Sequence, residues 1–253
     1  MVKRVLGPLL ILTIFFGLWQ AVTAGGLISP ILLPSPLDTA RYLIVSIQDG
    51  LLPSALAVTL GRLLTGYALG LAGGLSLGLL LYASALARNT LGLAALGLQT
   101  LPSVCWVPLA ILWFGQTEKA MYFVVVMGSL WAIGMATENA VRAVPPIYIR
   151  ASKVMGSKGL HTWTTVIFPA ALPQMLAGAK LGWAFAWRSL MAAEIYVTII
   201  SHFGLGQLLH FGRELNAMDQ VMAVMLVIIV VGLLTDRLIF LPVERYLRRT
   251  RGL

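Results

Sequence analysis

Long apolar runs alternate with short polar segments along this chain, and most of the runs are as long as a membrane span. A transmembrane helix needs about 20 mainly apolar residues. The segments that meet this requirement are 5–24, 54–82, 89–113, 118–137, 170–199 and 218–240. We therefore predict an all-α membrane protein with six transmembrane helices, in which residues 1–253 form a single domain.

The first run, 5–24, follows Lys3 and Arg4 and therefore also has the form of a cleaved signal peptide. Its length separates the two possibilities, because the apolar core of a signal peptide has only about 7–15 residues. A run of about 20 residues favours a membrane span. We expect this segment to be the first transmembrane helix.

The composition agrees with a membrane protein and argues against several other classes. Hydrophobic residues make up 59% of the chain and charged residues 11%, whereas soluble domains carry about 25% charged residues. The net charge of +9 does not indicate a nucleic-acid partner, because positive residues beside apolar spans normally set membrane topology. Cys105 is the single cysteine, so an intrachain disulfide is excluded and a metal or redox role is not indicated.

The distribution of positive residues predicts which segments face the cytoplasm. With the N-terminus inside, twelve of the 18 Lys and Arg residues fall on the cytoplasmic side. The others are Arg41, Lys119 and Arg213 on the opposite side and Arg62, Lys180 and Arg188 within the runs. Because cytoplasmic loops carry the excess of Lys and Arg, we expect both termini and the 138–169 loop in the cytoplasm.

Small residues and prolines mark two of the runs. Gly66, Gly70 and Gly74 recur every four residues, which places a smooth surface on one helix face where a neighbouring helix can approach closely. Pro102 and Pro108 in the third run each remove a backbone hydrogen bond and favour a kink. Irregular helices are common near substrate paths, so both prolines are candidate pathway residues, while helix packing alone explains the glycines.

A short amphipathic helix is predicted between the first two runs. The proline-rich segment 29–36 leads into 37–48, with Asp38 near the start of the helix, where acidic residues are favoured. Apolar side chains such as Ile44 and Ile47 share one face of it. This face is suited to lie on the membrane surface.

The 138–169 loop is a polar, basic segment about as long as one of the spans. Pro146 suits the first turn of a helix. The residues that then form one apolar stripe at helical spacing are Ile147, Ala151, Val154 and Met155. An amphipathic cytoplasmic helix packs on the membrane, on its own protein or in a groove of a partner, and these residues alone do not choose among the three.

This helix is expected to end in a sharp reversal of the chain. Gly156 and Gly159 permit the reversal, and Ser157 is available as a cap for the next helix. A second apolar set follows, made of Leu160, Trp163 and Ile167, before Pro169 opens the fifth run.

The spacing of the loop resembles the cytoplasmic signature loop of permease subunits of ATP-binding-cassette (ABC) importers. That motif runs Glu-Ala-Ala, three residues, Gly, nine residues and Ile-x-Leu-Pro. In this chain Arg150-Ala151-Ser152, Gly156 and Val166-Ile167-Phe168-Pro169 stand at the same spacing. Ala151, Gly156 and Pro169 are identical to the motif, whereas Arg150 replaces the usual Glu and Ser152 replaces the second Ala.

Other short segments are similar to one branch of these permeases, the nitrate, sulfonate, taurine and bicarbonate importers, with relatives that carry pyrimidine precursors of thiamine. These segments are Leu33-Pro34-Ser35-Pro36, Thr59-Leu60-Gly61-Arg62, Leu101-Pro102-Ser103, Trp106-Val107-Pro108-Leu109, Trp113-Phe114-Gly115, Ala186-Trp187-Arg188-Ser189-Leu190, Ala193-Glu194 and Gly204-Leu205-Gly206. Each is weak alone, and their order along the chain makes the resemblance specific.

The resemblance implies that the loop contains a coupling helix, which docks into a cleft of the ATPase subunit. The residues expected to make or shape this contact are Arg150, Ala151, Ser152, Met155, Gly156, Leu160, Trp163 and Pro169. Because Arg150 stands where the family carries an acidic residue, the polar contact at that position is in doubt, but the docking is not.

The resemblance further implies a type I ABC importer permease of the inner membrane that works as a homodimer. Two ATPase subunits would bind from the cytoplasm, and a periplasmic or lipid-anchored solute-binding protein would deliver the solute. The chain contains no Walker A loop of the form G-x-x-x-x-G-K-[ST]. We therefore expect no catalytic residues and no cofactor on this chain, with ATP and Mg²⁺ bound by the partner subunits.

Three charged residues, Lys180, Arg188 and Glu194, lie in the fifth run. At about 100° per residue they fall within one third of the helix circumference, and such charges tend to face the bundle interior or water. They would either line a pathway of positive potential for an anion or form a structural Arg188–Glu194 network, with Lys180 reaching the cytoplasmic edge. The structural alternative is favoured.

The expected function is the import of a small solute, such as nitrate, bicarbonate, a sulfonate or taurine, driven by ATP hydrolysis on a partner. A permease for a thiamine-precursor pyrimidine is one alternative. A secondary carrier or channel is an alternative of another class, and a membrane scaffold is a third. Secondary carriers usually bring internal repeats or a midplane ion site, and no convincing repeat is recognisable in this sequence.

Overall fold

The computed structural model describes residues 2–26, 28–29, 31–199 and 202–251, and all regular structure within these ranges is helical. The helices are α1 Val2–Ala24, α2 Pro36–Gln48, α3 Leu51–Ala83, α4 Ala85–Ala87, α5 Leu93–Gln99, α6 Trp106–Phe114, α7 Glu118–Arg142, α8 Pro146–Val154, α9 Gly159–Thr162, α10 Phe168–Tyr196, α11 Leu205–Glu214, α12 Met218–Thr235 and α13 Leu241–Arg251. Wider π-helical turns, Arg88–Gly92, Trp163–Ile167 and Asp236–Phe240, join α4 to α5, α9 to α10 and α12 to α13. The predicted single domain 1–253 includes a few residues outside these ranges. The side chains of Lys3 and Arg4 also lie outside the described part of the chain.

Three of the described helices are long and apolar enough to cross a membrane: Leu51–Ala83, Glu118–Arg142 and Met218–Leu247. They correspond to the second, fourth and sixth predicted runs. The first run forms α1, of which Thr13–Ala24 is a shorter apolar helix, and the fifth forms α10. Membrane crossing by α1 and α10 therefore stays a prediction from the sequence.

The third predicted run is not one helix with two kinks. Helical segments Ala85–Gln99 and Ser103–Phe114 meet at 100°, and the chain turns at Pro102, whose backbone is extended with φ −55° and ψ 134°. Proline disfavours the helical conformation of the residue before it and supplies no N–H. Pro108 causes no break, because it is the third residue of α6, where the backbone N–H groups lack partners within the helix.

One compact unit of the chain comprises Met1–Thr59 and Ile200–Val231. The predicted amphipathic helix is confirmed there as α2, and Ile44 and Ile47 are exposed. Ser35 caps α2, because its hydroxyl accepts the Asp38 N–H at 3.1 Å and donates to the Asp38 carboxylate at 2.7 Å. This cap was not predicted from the sequence.

The second compact unit comprises Leu60–Ile199 and Gly232–Leu253. The glycine face of α3 lies against α7, and a Cβ added at Gly66, Gly70 or Gly74 would come within 2.8 Å of a side chain of α7. The predicted close approach of a neighbouring helix is therefore confirmed. Helix α7 also contacts α10 closely, since Ile133, which lies against Gly74 of α3, lies against Gly182 of α10 as well.

Candidate functional site

A buried ion-pair network joins α3, α7 and α10 at Arg62. The guanidinium donates to the Glu118 carboxylate at 2.7 and 2.8 Å and to the Glu194 carboxylate at 3.0 Å. The Arg62 side chain is 2% exposed and that of Glu194 is fully buried. The predicted network between Arg188 and Glu194 is therefore wrong, because Glu194 pairs with Arg62 from another helix.

Lys180 belongs to a different network. Its ammonium forms ion pairs with Asp236 and, at 3.3 Å, with Glu244. These carboxylates stand in the π-helical turn after α12 and in α13, so Lys180 ties α10 to the C-terminal helical segment. Lys180 and Glu194, which were predicted on one face of α10 together with Arg188, thus belong to two different ion-pair networks.

Arg188 is exposed and borders a cavity of about 270 Å³ at the break between α5 and α6. Its Nε donates to the Ala184 carbonyl at 3.1 Å, and the guanidinium lies 4.8 Å from the centre of the Phe185 ring. Pro102 lines the same cavity. The structure therefore brings together two of the candidate pathway residues, Arg188 and Pro102.

The other candidate pathway residues lie elsewhere. Pro108 lines a separate apolar cavity of about 500 Å³ together with Val107 and Tyr196. The cavity beside Arg188 instead includes Trp131 of α7, which the sequence analysis missed. A tryptophan inside an apolar run gives no signal of its own, because most such residues only pack.

The cytoplasmic loop has the two-helix form that its sequence predicts. Helix α8 has Pro146 at its first position, and the chain reverses at Gly156 and Gly159, which have φ of 86° and 52°. These left-handed conformations favour glycine. The predicted role of Ser157 as a cap is wrong, because its hydroxyl instead bonds with that of Thr162 at 2.8 Å.

One face of the loop is attached to the rest of its unit. Ser152 is 2% exposed, and its hydroxyl donates to the Ile149 carbonyl at 3.0 Å. Trp163 packs edge to face on Tyr82 of α3, with the ring centres 5.4 Å apart. Two residues of the expected docking set, Ser152 and Trp163, therefore point inward.

The opposite face of the loop is apolar and exposed. We call this the loop surface, and its large side chains with their exposed fractions are Ile147 62%, Val154 89%, Met155 80% and Leu160 78%. Arg150, Ala151 and Gly156 are exposed beside them, whereas Pro169 is half-buried near the start of α10. Contiguous exposed apolar residues mark interaction sites, so this surface is suited to a partner.

These features define a class: a multi-pass helical membrane protein with charges inside its helix bundle and a loop that offers an apolar surface. Residues 66–247 match the model of the family described as the binding-protein-dependent transport system inner membrane component. The chain belongs to this family. It is a permease subunit of an ABC importer and a multi-pass protein of the inner membrane.

Relatives with named functions match over most of the chain. A candidate aliphatic sulfonates transport permease protein of Bacillus subtilis is 30% identical over 244 residues, which cover 96% of this chain and 87% of the relative. A bicarbonate transport system permease protein of Synechocystis sp. is 30% identical over 245 residues, with 92% and 85% covered. Both names denote transport permeases for solutes of the branch that the sequence motifs resemble.

The fold is shared with a solved structure. A chain of the MetNI methionine ABC transporter in an inward-facing conformation superposes with a TM-score of 0.63 at 20% identity. The match covers 75% of this chain and 92% of that chain. The predicted ABC importer permease fold is confirmed by this likeness together with the family match.

Proposed function

We propose that this permease works as a homodimer that imports a small anion, with ATP hydrolysed by two ATPase subunits bound at the loop surface. ATP and Mg²⁺ are held by those subunits, and a periplasmic or lipid-anchored solute-binding protein delivers the anion. The observation that carries the proposal is the exposed apolar loop surface from Ile147 to Leu160, which surrounds Arg150, Ala151 and Gly156, residues that stand at the spacing of the family's coupling motif.

The covalent path from the loop to the helix bundle supports a coupling role. Helix α9, the π-helical turn Trp163–Ile167 and α10 follow one another without a break from Gly159 to Tyr196. Ile167 packs with Val141 of α7 and Met175 of α10 in one buried cluster. A displacement imposed on the loop surface is therefore passed to α10, which carries Arg188 and Glu194.

Coupling in this arrangement requires that the affinity of the complex for ATP differ between its outward-facing and inward-facing conformations. The ATPase subunits must bind ATP more tightly when the permease faces outward than when it faces inward, because a ligand shifts an equilibrium only through differential binding. Arg62 pairs with Glu194 of α10 and Glu118 of α7. This ion-pair network makes α3, α7 and α10 move together.

Two lines of support favour a small anion as the solute. The relatives named above transport aliphatic sulfonates and bicarbonate according to their names. The exposed guanidinium of Arg188 borders a cavity in this chain, and a positive charge beside a cavity attracts anions.

The proposed topology has both termini in the cytoplasm. It is supported by the excess of Lys and Arg in the segments predicted on that side.

The test is whether the loop surface holds the ATPase. Met155→Glu places a charge in the centre of this surface, where burying it against a partner is costly. We expect the ATPase subunits to stop co-purifying with the permease and ATP-driven uptake in proteoliposomes to fall by at least about tenfold.

Leu215→Glu is the matched control, because Leu215 is 75% exposed and lies on the predicted outer side. This variant should keep the ATPase and its uptake. Full assembly and uptake by the Met155→Glu variant would contradict the proposal, as would wild-type uptake in vesicles that contain no ATPase subunit.

A further inference from the structure

Three cations lie within the predicted membrane runs, and Arg188 differs from the other two. Arg62 and Lys180 each form ion pairs with two carboxylates. Within the described ranges, no carboxylate lies at ion-pair distance from Arg188. A charge at membrane depth is costly unless it is paired or reaches water. Arg188 therefore has unused capacity for an anion.

The guanidinium is held in place by its own helix. Its Nε donates to the Ala184 carbonyl one turn earlier, and the cation lies over the Phe185 ring. A guanidinium has five N–H donors, of which Nε carries one. The two terminal nitrogens are left to bind a planar or tetrahedral oxyanion in the bidentate geometry that arginine favours.

A second donor of the same cavity also lacks an acceptor. The indole Nε1 of Trp131 is buried and has no hydrogen-bond partner in the part of the chain that the structure describes. Buried N–H groups are nearly always paired, so this exception calls for an explanation. Because the nitrogen is covered by neighbouring atoms, a small rotation of the ring is needed before a ligand can reach it.

The shape of the cavity comes from a close helix contact and from the break at Pro102. Helices α7 and α10 touch where Gly128 lies against the Ser189 hydroxyl. Beside this contact the turn between α5 and α6 leaves a space whose lining includes Leu98, Leu101, Pro102, Met127, Trp131 and Arg188. Its lining also includes the polar residues Gln99, Thr100 and Ser103, so the cavity offers both polar and apolar surface to a ligand.

We propose that this cavity is an anion-binding site of the permease itself, in which Arg188 and the Trp131 N–H bind the head group of a small oxyanion. The proposal rests on the proposed function and names the contact that its solute makes in the membrane. The volume of about 270 Å³ lies just below the range of about 300–1,000 Å³ for drug-sized ligands. It suits an anion of a few heavy atoms, and Leu98, Leu101 and Met127 accommodate a short aliphatic tail.

The acidic groups near Arg188 do not compete for it. On its other side Arg188 borders a second cavity of about 340 Å³, whose wall includes Asp236. That carboxylate is already paired with Lys180. Glu194, on the same helix, is buried against Arg62. Among the described residues, neither of these carboxylates therefore neutralises Arg188.

The experiment measures binding of ethanesulfonate, taurine and bicarbonate to the purified permease–ATPase complex without the solute-binding protein, by equilibrium dialysis. Neutral dimethyl sulfone serves as an uncharged probe. Arg188→Gln should weaken ethanesulfonate binding by at least about tenfold, and Trp131→Phe, which keeps an aromatic ring and removes the N–H, by about tenfold. Dimethyl sulfone should bind the variants and the wild type alike.

Matched controls are Arg213→Gln and Trp113→Phe, which change an exposed arginine and an exposed tryptophan outside the cavity. Both should bind ethanesulfonate as the wild type does. Arg188→Lys should fall between wild type and Arg188→Gln, because it keeps the charge and loses the bidentate geometry. If Arg188 served only protein packing, ethanesulfonate affinity would not fall in the order wild type, Arg188→Lys, Arg188→Gln.

Separate results decide the two proposals. Equal ethanesulfonate binding by wild type and Arg188→Gln would overturn the site, and so would the absence of binding of all three anions to the wild type. Dissociation of the permease dimer by Arg188→Gln would also overturn it, because Arg188 would then serve the subunit contact. Anion binding that depends on Arg188, without ATP-driven uptake of any anion, would support the proposed binding site and overturn the proposed function.

Discussion

Arg62 compensates the buried negative charge of Glu194, and the stability of the protein is expected to depend on this ion pair. Its partner Glu194 is fully buried, so removing the guanidinium takes away the ion pair that offsets the burial of this carboxylate. Breaking a buried ion pair in this way costs about 3–5 kcal/mol. We therefore expect Arg62→Met to lower the stability of the detergent-purified permease by that amount, measured as the free energy of unfolding in denaturant.

Two comparisons separate the ion pair from loss of side-chain volume. Arg213→Gln breaks the exposed pair with Glu214 and should leave the free energy of unfolding nearly unchanged, because solvent screens exposed ion pairs. Arg62→Met combined with Glu194→Gln removes both charges and should recover most of the loss. A double variant as unstable as Arg62→Met alone would show that packing, not charge, sets the cost.

The same residues show what the sequence could and could not predict. Composition and spacing identified Lys180, Arg188 and Glu194 as charges inside the membrane. Their partners could not be found, because Arg62 and Glu194 are 132 positions apart and helical angles compare residues on one helix only. The short motifs that contain Arg62 and Glu194 were recognised, but spacing along the chain gave no reason to pair them.

The contact between α3 and α7 depends on glycine at Gly74, and this gives a prediction for the helix pair. A Cβ at Gly74 would stand 2.7 Å from the Ile133 Cβ and 2.9 Å from the Leu130 carbonyl, so Gly74→Ala forces the helices apart. Overpacking of this kind costs about 1–3 kcal/mol. We expect a lower midpoint temperature in thermal unfolding of the detergent-purified protein.

Gly61, on the same helix, is the matched position. Nothing lies within 4 Å of a Cβ built there, and alanine is favoured over glycine inside helices by about 1 kcal/mol. Gly61→Ala should therefore leave the midpoint temperature unchanged or raise it. Equal losses at Gly61 and Gly74 would mean that the glycine face of α3 does not determine the contact.

The helical elements were predicted best where a periodic pattern coincided with a boundary signal. Helix α2 follows from the proline at its start, and the reversal at Gly156 follows from the need for a left-handed backbone. The 100° turn at Pro102 was predicted only as a kink, because a proline in an apolar run is equally compatible with a bent helix. The size of the turn is set by tertiary packing.

At the level of the complete permease, α10 connects three features of the molecule. Its N-terminal end continues from the loop through the turn Trp163–Ile167, and its far end carries Glu194 in the Arg62 network. Between them, Arg188 borders the cavity proposed for the anion. A helix that connects the loop surface, the cavity and the ion pairs can link ATPase state to solute access without any further moving part.

The orientation of the chain decides whether this link can operate, because the loop surface must face the compartment that contains ATP. Cys105 is exposed and is first replaced by serine, so that single cysteines can be introduced elsewhere. The excess of Lys and Arg predicts that Lys158→Cys reacts with a membrane-impermeant maleimide from the cytoplasmic side alone, and Leu215→Cys from the outer side alone. Labelling is compared in intact cells and in inside-out vesicles, with detergent-permeabilised samples as the measure of full reactivity. Outer labelling of Lys158→Cys would invert the topology, and the loop could then meet no cytoplasmic ATPase.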